Sequence, residues 1–196
     1  QLNGAGSTTT VNVYGTMTLT AGTLAAGTVT NINMAGGNWI NNGATFTPGS
    51  GTVTFSNTTA AQSITGTVSS HTFNNINVNK TGQQLNVSGS ANTLNLNGSM
   101  TLTAGTFNYG TAPTINIGGN WTNNGGTFTY GTSTVTFNST TGAQNINGTA
   151  ASQSFYNVIV NKAGQQLNGA GSTTSLDIYG NVTLTAGTFA AGTIAA

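Results

Sequence analysis

Charged residues are almost absent from this sequence of 196 residues. Lys80 and Lys162 are the only basic residues besides His71, Asp177 is the only acidic residue, and Arg and Glu do not occur. Disordered chains usually stay soluble through charge and contain few aromatic or β-branched residues, whereas this chain is rich in Val, Ile, Phe and Thr. The composition therefore predicts a chain that folds.

Cysteine is also absent, so stability has to come from packing and backbone pairing without disulfides. Thr, Asn and Gly together make up about half of the chain. This mixture is poor in helix formers and rich in residues that favour strands and turns. The sequence therefore predicts an all-β protein.

Long apolar runs are missing as well. No run approaches the roughly 20 residues that a membrane-spanning helix needs, and no basic and apolar signal segment opens the sequence. We therefore expect no insertion into a membrane, and any export signal is expected to lie outside this sequence.

The side chains that carry most enzyme and metal chemistry are too few here. Glycoside hydrolysis uses a pair of carboxylates, and Asp177 is the only one. His71 has no orienting acid near it in sequence, and the equivalent segment of the next repeat has Ser152-Gln153-Ser154 instead. One His and one Asp do not make a zinc or calcium site, and two distant lysines do not make a basic stripe for nucleic acid. We expect no enzyme activity, no cofactor, no metal site and no nucleic-acid partner.

The sequence repeats itself. Residues 84–165 repeat the pattern of residues 1–83, and residues 166–196 form a third, incomplete copy. Asn38-Trp39 returns as Asn120-Trp121, and Asn79-Lys80 returns as Asn161-Lys162. Residues 1–196 are therefore predicted to form a single continuous repeat array.

Each copy contains four apolar-polar-apolar triplets, spaced by 18 to 23 residues. Period-two alternation is typical of a strand with one buried face. The nine predicted strands span residues 10–14, 31–35, 52–56, 75–79, 93–97, 114–118, 134–138, 157–161 and 175–179.

Units of about 20 residues cannot bury their own apolar faces, but stacked units share a continuous core. The spacing predicts a parallel β-solenoid, or β-helix, with four coils in each repeat of 82 or 83 residues. All nine triplets are expected in one parallel sheet, about 4.8 Å apart, so that one copy advances about 19 Å. The coils are predicted to be right-handed, as parallel crossovers are in about 98% of cases. An antiparallel sandwich is the rival fold, suggested by several Asn-Gly pairs that suit hairpin turns.

The middle residue of each triplet is predicted to face outward, forming a polar ladder for structure or for contact. Stacked Asn side chains can hydrogen-bond along the axis, as in cross-β fibres, although Asn also suits any solvated strand face. The predicted ladder contains Asn12, Asn33, Thr54, Asn77, Asn95, Asn116 and Thr136.

Two pairs of recurring residues are predicted as possible surface contacts: Trp39 with Trp121, and Lys80 with Lys162. The lysines follow a strand, so we expect them at solvated corners, with an isopeptide crosslink to Asn as the alternative. The tryptophans could be platforms on which sugars stack, or they could pack in the core.

A resemblance rests on three strings, the first of which is Gly119-Asn120-Trp121-Thr122-Asn123-Asn124-Gly125-Gly126-Thr127-Phe128. The other two are Thr134-Val135-Thr136-Phe137-Asn138 and Asn157-Val158-Ile159-Val160-Asn161-Lys162. They resemble the repeat arrays of giant bacterial surface and secreted proteins, similar to filamentous haemagglutinin-type adhesins. The resemblance implies a β-solenoid, export to an extracellular or cell-surface location, and a structural or adhesive role.

Two classes of function remain open. The first is a structural segment of an extracellular filament, stalk or surface fibre, which requires no site. The second is binding, either as an adhesin or as an ice-binding solenoid. An adhesin would contact glycans or surfaces through the Asn/Thr ladder and through exposed aromatics, which include Tyr14, Tyr109, Tyr130 and Tyr179. Ice binding needs Thr-x-Thr on the same face of successive coils, and Thr52-Val53-Thr54 returns only once per copy.

The expected partner is the chain itself. Gln1 begins inside a repeat, Ala196 ends inside one, and neither end resembles a polar cap. A solenoid without caps leaves strand edges and apolar core open, and pairing with further coils closes them. We therefore expect stacking end to end, covalently or by head-to-tail docking, and lateral bundling because the surface carries little charge.

Overall fold

The computed structural model describes residues 2–3, 9–110 and 114–194, and their regular structure consists of strands. Gln1 and Ala196, on which the prediction of stacked ends rests, lie outside the described residues. In chain order the strands are β1 (Leu2–Asn3), β2 (Thr10–Val13), β3 (Met17–Leu19), β4 (Thr23–Ala25), β5 (Asn31–Met34), β6 (Trp39–Asn41), β7 (Thr45–Thr47), β8 (Thr52–Phe55), β9 (Gln62–Gly66), β10 (Ser70–Phe73), β11 (Asn75–Val87), β12 (Thr93–Leu96), β13 (Met100–Asn108), β14 (Thr114–Ile117), β15 (Trp121–Asn123), β16 (Thr127–Thr129), β17 (Thr134–Phe137), β18 (Gln144–Gly148), β19 (Ser152–Phe155), β20 (Asn157–Gly169), β21 (Ser175–Ile178) and β22 (Val182–Ala190).

The strands stack as a parallel β-solenoid of about eight turns, which confirms the predicted fold. Every pairing between the described strands is parallel, so the antiparallel sandwich is wrong. Successive strands along the chain occupy three faces in turn. The long strands β11, β13, β20 and β22 bend over a corner, so each contributes one segment to each of two faces.

We name the faces by their strands. Face A contains β2, β5, β8, β15, β18 and the segments 75–78, 100–102, 167–169 and 188–190. Face B contains β3, β6, β9, β16, β19, β21 and the segments 85–87 and 106–108. Face C contains β1, β4, β7, β10, β12, β14, β17 and the segments 157–160 and 182–184.

The apolar residues of the triplets line the interior between the three faces. In β14, for example, Ile115 and Ile117 are fully buried while Thr114 and Asn116 are half-buried. The same alternation occurs in β5, β8, β12 and β17. Period two therefore predicts the buried face correctly, because successive side chains of a strand point to opposite sides of the sheet.

The predicted stacking of all nine triplets in one sheet is wrong. Val11, Ile32, Val53 and Ile76 do lie in register on face A. However, Ile76 pairs next with Met100, and the first triplet of the second copy lies on face C, where Leu94 pairs with His71.

The physical reason is that a copy does not close a whole number of coils. Residues 1–83 supply eleven strand positions, from β1 to the first segment of β11, and three positions make one coil. One copy therefore spans three and two-thirds coils, not the predicted four. Each copy starts one face away from the last, which is a rotation of about 120° about the solenoid axis.

Candidate functional site

The seven predicted ladder residues form two ladders, because the two copies use different faces. Asn12, Asn33, Thr54 and Asn77 align on face A. The members from the second copy align on face C, in β12, β14 and β17. All but the exposed Asn12 are half-buried, so the middle residues are less buried than the apolar residues beside them.

Hydrogen bonds run along the axis within each ladder. The Nδ2 of Asn33 donates to Asn12 Oδ1 at 3.1 Å, and the Nδ2 of Asn116 donates to Asn95 Oδ1 at 2.8 Å. At the start of the second copy, Asn95 Nδ2 donates to Ser70 Oγ at 2.9 Å and has no bond to Asn77. Side chains thus follow the backbone register, as stacked amides do in cross-β structures.

Lys80 is buried, so its prediction as a solvated corner and surface contact is wrong. Its Nζ donates hydrogen bonds to the backbone oxygens of Asn57 at 2.6 Å and Ala60 at 3.1 Å. A third bond goes to Gln62 Oε1 at 2.8 Å. The three donors of an ammonium group therefore meet three acceptors, two in the turn between β8 and β9 and one at the first residue of β9.

The second copy repeats this arrangement of one lysine and three oxygen acceptors, which we call a lysine cage. Lys162 is also fully buried, and its Nζ donates to Ser139 O at 3.1 Å, Gly142 O at 3.0 Å and Gln144 Oε1 at 2.7 Å. All acceptors are neutral, so burial lowers the pKa of Lys80 from 10.5 to about 8 and lowers the pKa of Lys162.

Sequence reasoning missed the glutamines of these cages. Gln62 and Gln144 are buried, and their Nε2 atoms donate to backbone oxygens of the preceding coil, including Met34 O and Ile117 O at 2.8 Å each. The signal in the sequence is a Gln that precedes the Lys by 18 residues in both copies. This recurring pair indicates a contact rather than two independent surface residues.

The tryptophans are core residues, so their prediction as surface contacts is also wrong. Trp39 and Trp121 are each 1% exposed. The Trp39 ring lies 4.7 Å from that of Phe46 and 5.1 Å from that of Phe73. The same three-ring cluster recurs around Trp121, with Phe128 at 4.8 Å and Phe155 at 5.0 Å.

The tyrosines considered as glycan contacts divide by burial. Tyr109 is fully buried, whereas Tyr14 is 80% exposed and Tyr179 is 64% exposed. The ring of Tyr179 stacks on the half-buried ring of Tyr130, with centroids 5.5 Å apart. Tyr14 and Tyr179 are therefore the tyrosines with the most exposed rings in the described part of the chain.

The two other titratable residues that were considered for catalysis, His71 and Asp177, are far apart. His71 is buried on face C, and burial lowers its pKa to about 4, which leaves the ring neutral at pH 7. Asp177 lies on face B about five coils further on, where it accepts hydrogen bonds from Ser152 and Ser175. The structure does not bring these two side chains together.

Within the described residues, no group of three His, Cys, Asp or Glu side chains could hold a metal ion. The same part of the chain has no helix long and apolar enough to span a membrane.

Comparisons with protein-family models, with curated proteins and with solved structures gave no match.

Proposed function

We propose that this chain is a structural segment of an extracellular filament, stalk or surface fibre. The observation that carries the proposal is the open strand edge at β22. Val182 and Leu184 are 50% and 57% exposed although they align with the inward residues Val158 and Val160. An apolar strand edge of this kind favours pairing with a further coil.

The structure contains a template for that pairing. Met100 and Leu102 occupy the equivalent positions of the second copy, and both are fully buried beneath β15, where Met100 pairs with Trp121. A further coil of the same repeat on β22 would cover Val182 and Leu184 in the same way. The coil could belong to the same chain or to a second copy docked head to tail.

The first experiment tests assembly of the 196-residue chain. We expect fibres in electron micrographs at high protein concentration. Val182→Lys with Leu184→Lys should suppress them, because both lysines would be placed at the pairing surface. Thr183→Lys is the matched control, since Thr183 lies between them on the outward side of the strand. A wild-type chain that stays monomeric, or fibres that persist in the double variant, would contradict head-to-tail docking through the β22 edge.

The extracellular location in this proposal rests on the resemblance to bacterial surface arrays. Antibody labelling of intact and permeabilised cells tests it, and we expect equal labelling of both. Labelling only after permeabilisation would place the protein inside the cell.

An adhesive role is the second candidate, and the exposed Tyr14 and Tyr179 support it. These side chains occupy equivalent positions at the start of the first and third copies. Binding of intact fibres to a glycan array, lost on Tyr14→Ala with Tyr179→Ala, is the expected result. Retention of binding in that variant would exclude these tyrosines as the contact.

A further inference from the structure

Two tyrosines at the surface meet across two coils. The ring centroids of Tyr130 and Tyr179 are 5.5 Å apart and the ring planes are inclined by 19°, which is a stacked arrangement. Tyr130 directly follows β16 and Tyr179 directly follows β21, so both lie at the corner where face B turns into face C. The coil between them places Tyr156 at the same corner. The stack therefore joins the first and the third of three successive coils.

The lengths of the three corners explain why these rings can meet. Residues 130–133 connect β16 to β17, and residues 179–181 connect β21 to β22. In the coil between them, Tyr156 alone connects β19 to β20. The middle coil therefore turns more tightly than its two neighbours, and the longer corners extend past it.

The stacked pair is accessible from solvent. Tyr179 is 64% exposed, and Tyr130 is half-buried. Partial desolvation and the neighbouring Tyr179 raise the pKa of Tyr130 above its ordinary 10.0, so its phenol is neutral at pH 7. Asn97 is the equivalent of Tyr179 in the second copy, and it is exposed although β14 stacks on its strand. Addition of a further coil would therefore leave the pair accessible.

We propose that Tyr130 and Tyr179 are a site of covalent crosslinking, where hydrogen peroxide and a haem peroxidase convert the stacked pair into dityrosine. Each phenol loses one electron and one proton, and the two phenoxyl radicals form a bond between ring carbons ortho to the hydroxyl groups. The hydrogen on each of these carbons then moves to the phenolic oxygen, which restores both aromatic rings. One hydrogen peroxide molecule takes up the two electrons and two protons and becomes two water molecules.

Proximity makes this pair the preferred site of coupling. Coupling between separate chains requires an encounter of two radicals, whereas two rings that are already stacked react at a high effective concentration. Tyr14 is more exposed, at 80%, but within the described residues neither Tyr14 nor Tyr156 contacts another aromatic ring. Tyr109 is buried, and its hydroxyl donates to the backbone oxygen of Thr114. Oxidation should therefore join the stacked pair first.

The crosslink would stabilise a chain that has no cysteine. It would tie the coil of β16 to the coil of β21, beside the open edge at β22. A covalent link between residues far apart in the chain restricts the unfolded state more than a short-range link does. Both tyrosines belong to one chain, so the crosslink does not depend on fibre formation.

Trypsin separates the two tyrosines, because Lys80 and Lys162 are the only lysine or arginine residues. The expected peptides are residues 1–80, 81–162 and 163–196. The chain is oxidised in dilute solution with a haem peroxidase and hydrogen peroxide, unfolded in urea and digested. We expect the second and third peptides to be joined, with dityrosine fluorescence and a mass two hydrogen atoms below their sum.

Phenylalanine variants assign the bond. Tyr130→Phe and Tyr179→Phe should each abolish the joined peptide, because phenylalanine has no phenolic hydrogen to lose. Tyr156→Phe is the matched control in the coil between them, and the yield should stay unchanged. Unjoined peptides from the wild-type chain, or joined peptides from Tyr130→Phe, would overturn the proposal. Coupling through Tyr14 in place of the pair would also overturn it, since this would show encounters between separate chains.

The first copy allows the pair to be built at a second place. Its three corners at the equivalent positions have the same lengths. Pro48 stands where the second copy has Tyr130, and Asn97 stands where the third copy has a tyrosine. Pro48→Tyr with Asn97→Tyr should therefore join the first and second tryptic peptides as well, whereas Asn97→Tyr alone should not. Absence of this second bond in the double variant would contradict the corner geometry on which the proposal rests.

Discussion

At the scale of single residues, the two lysines are the least expected feature. A buried ammonium group usually has a carboxylate partner, because removing its charge from water is costly. Here carbonyl and amide oxygens satisfy all three donors of Lys80, with bond lengths of 2.6 to 3.1 Å. The cage ties the turn at residues 57–60 to the following coil without any acidic residue.

The lysine cages predict an unusual dependence of stability on pH. The pKa of Lys80 is about 8 in the folded chain and 10.5 when exposed, so above pH 8 the unfolded state binds more protons than the folded state. The free energy of unfolding should therefore rise from pH 8 towards pH 10.5, by up to about 1.4 kcal/mol per pH unit for each such lysine. Urea unfolding at pH 7 to 9.5, below tyrosine ionisation, measures it.

The control is the double variant Lys80→Met with Lys162→Met, which has no amine in the cages. Its free energy of unfolding should stay flat over the same pH range. It should also be lower at pH 7 by roughly 1 to 3 kcal/mol per cage, because the cage oxygens lose their donors. An equal rise with pH in the variant would assign the effect to other groups.

At the scale of the strand, alternation determines which substitutions are tolerated. Ile115→Asp in β14 should unfold the chain or lower its stability by about 4 kcal/mol or more, because the carboxylate would be buried without a partner. Ile115 is fully buried, whereas Asn116 is half-buried on the outward ladder. Asn116→Asp should cost no more than about 1 kcal/mol. Thermal melting followed by circular dichroism compares them, and equal effects would reverse the assigned faces.

Turns allow a second matched comparison. Gly148 ends β18 with φ +121°, and a Cβ atom there would overlap the backbone oxygen of Asn123 in the coil below. Gly142 has no atom within 4 Å of a Cβ, and Ala60 occupies its place in the first copy. Gly148→Ala should destabilise the chain by several kcal/mol, and Gly142→Ala should change stability by less than about 1 kcal/mol. Urea unfolding of both variants checks this, and equal losses would contradict the assigned turn geometry.

At the scale of the whole molecule, the fractional number of coils per copy has a measurable consequence. A tandem chain of many copies should show a rise of about 18 Å and a rotation of about 120° per copy, so that the structure repeats every three copies and eleven coils, or about 53 Å. Cryo-electron microscopy of such a chain gives both values. The predicted four-coil copy would instead give about 19 Å without rotation.

The sequence alone determined the all-β composition, the repeat and the alternation within each strand. These properties depend on local residue preferences and on period two, as in Thr114-Ile115-Asn116-Ile117, and they needed no knowledge of the neighbouring coil. The outward polar residues and the buried apolar residues of the triplets follow directly from that alternation.

Which strands are neighbours could be seen only in the folded chain. Triplet spacing cannot distinguish four coils from three and two-thirds, because the weak strands between triplets, such as β9 and β10, also occupy positions on a face. The same holds for Lys80 and Trp39. A lysine or a tryptophan is amphipathic, so its burial depends on whether another coil supplies an acceptor such as Gln62 or an aromatic partner such as Phe73.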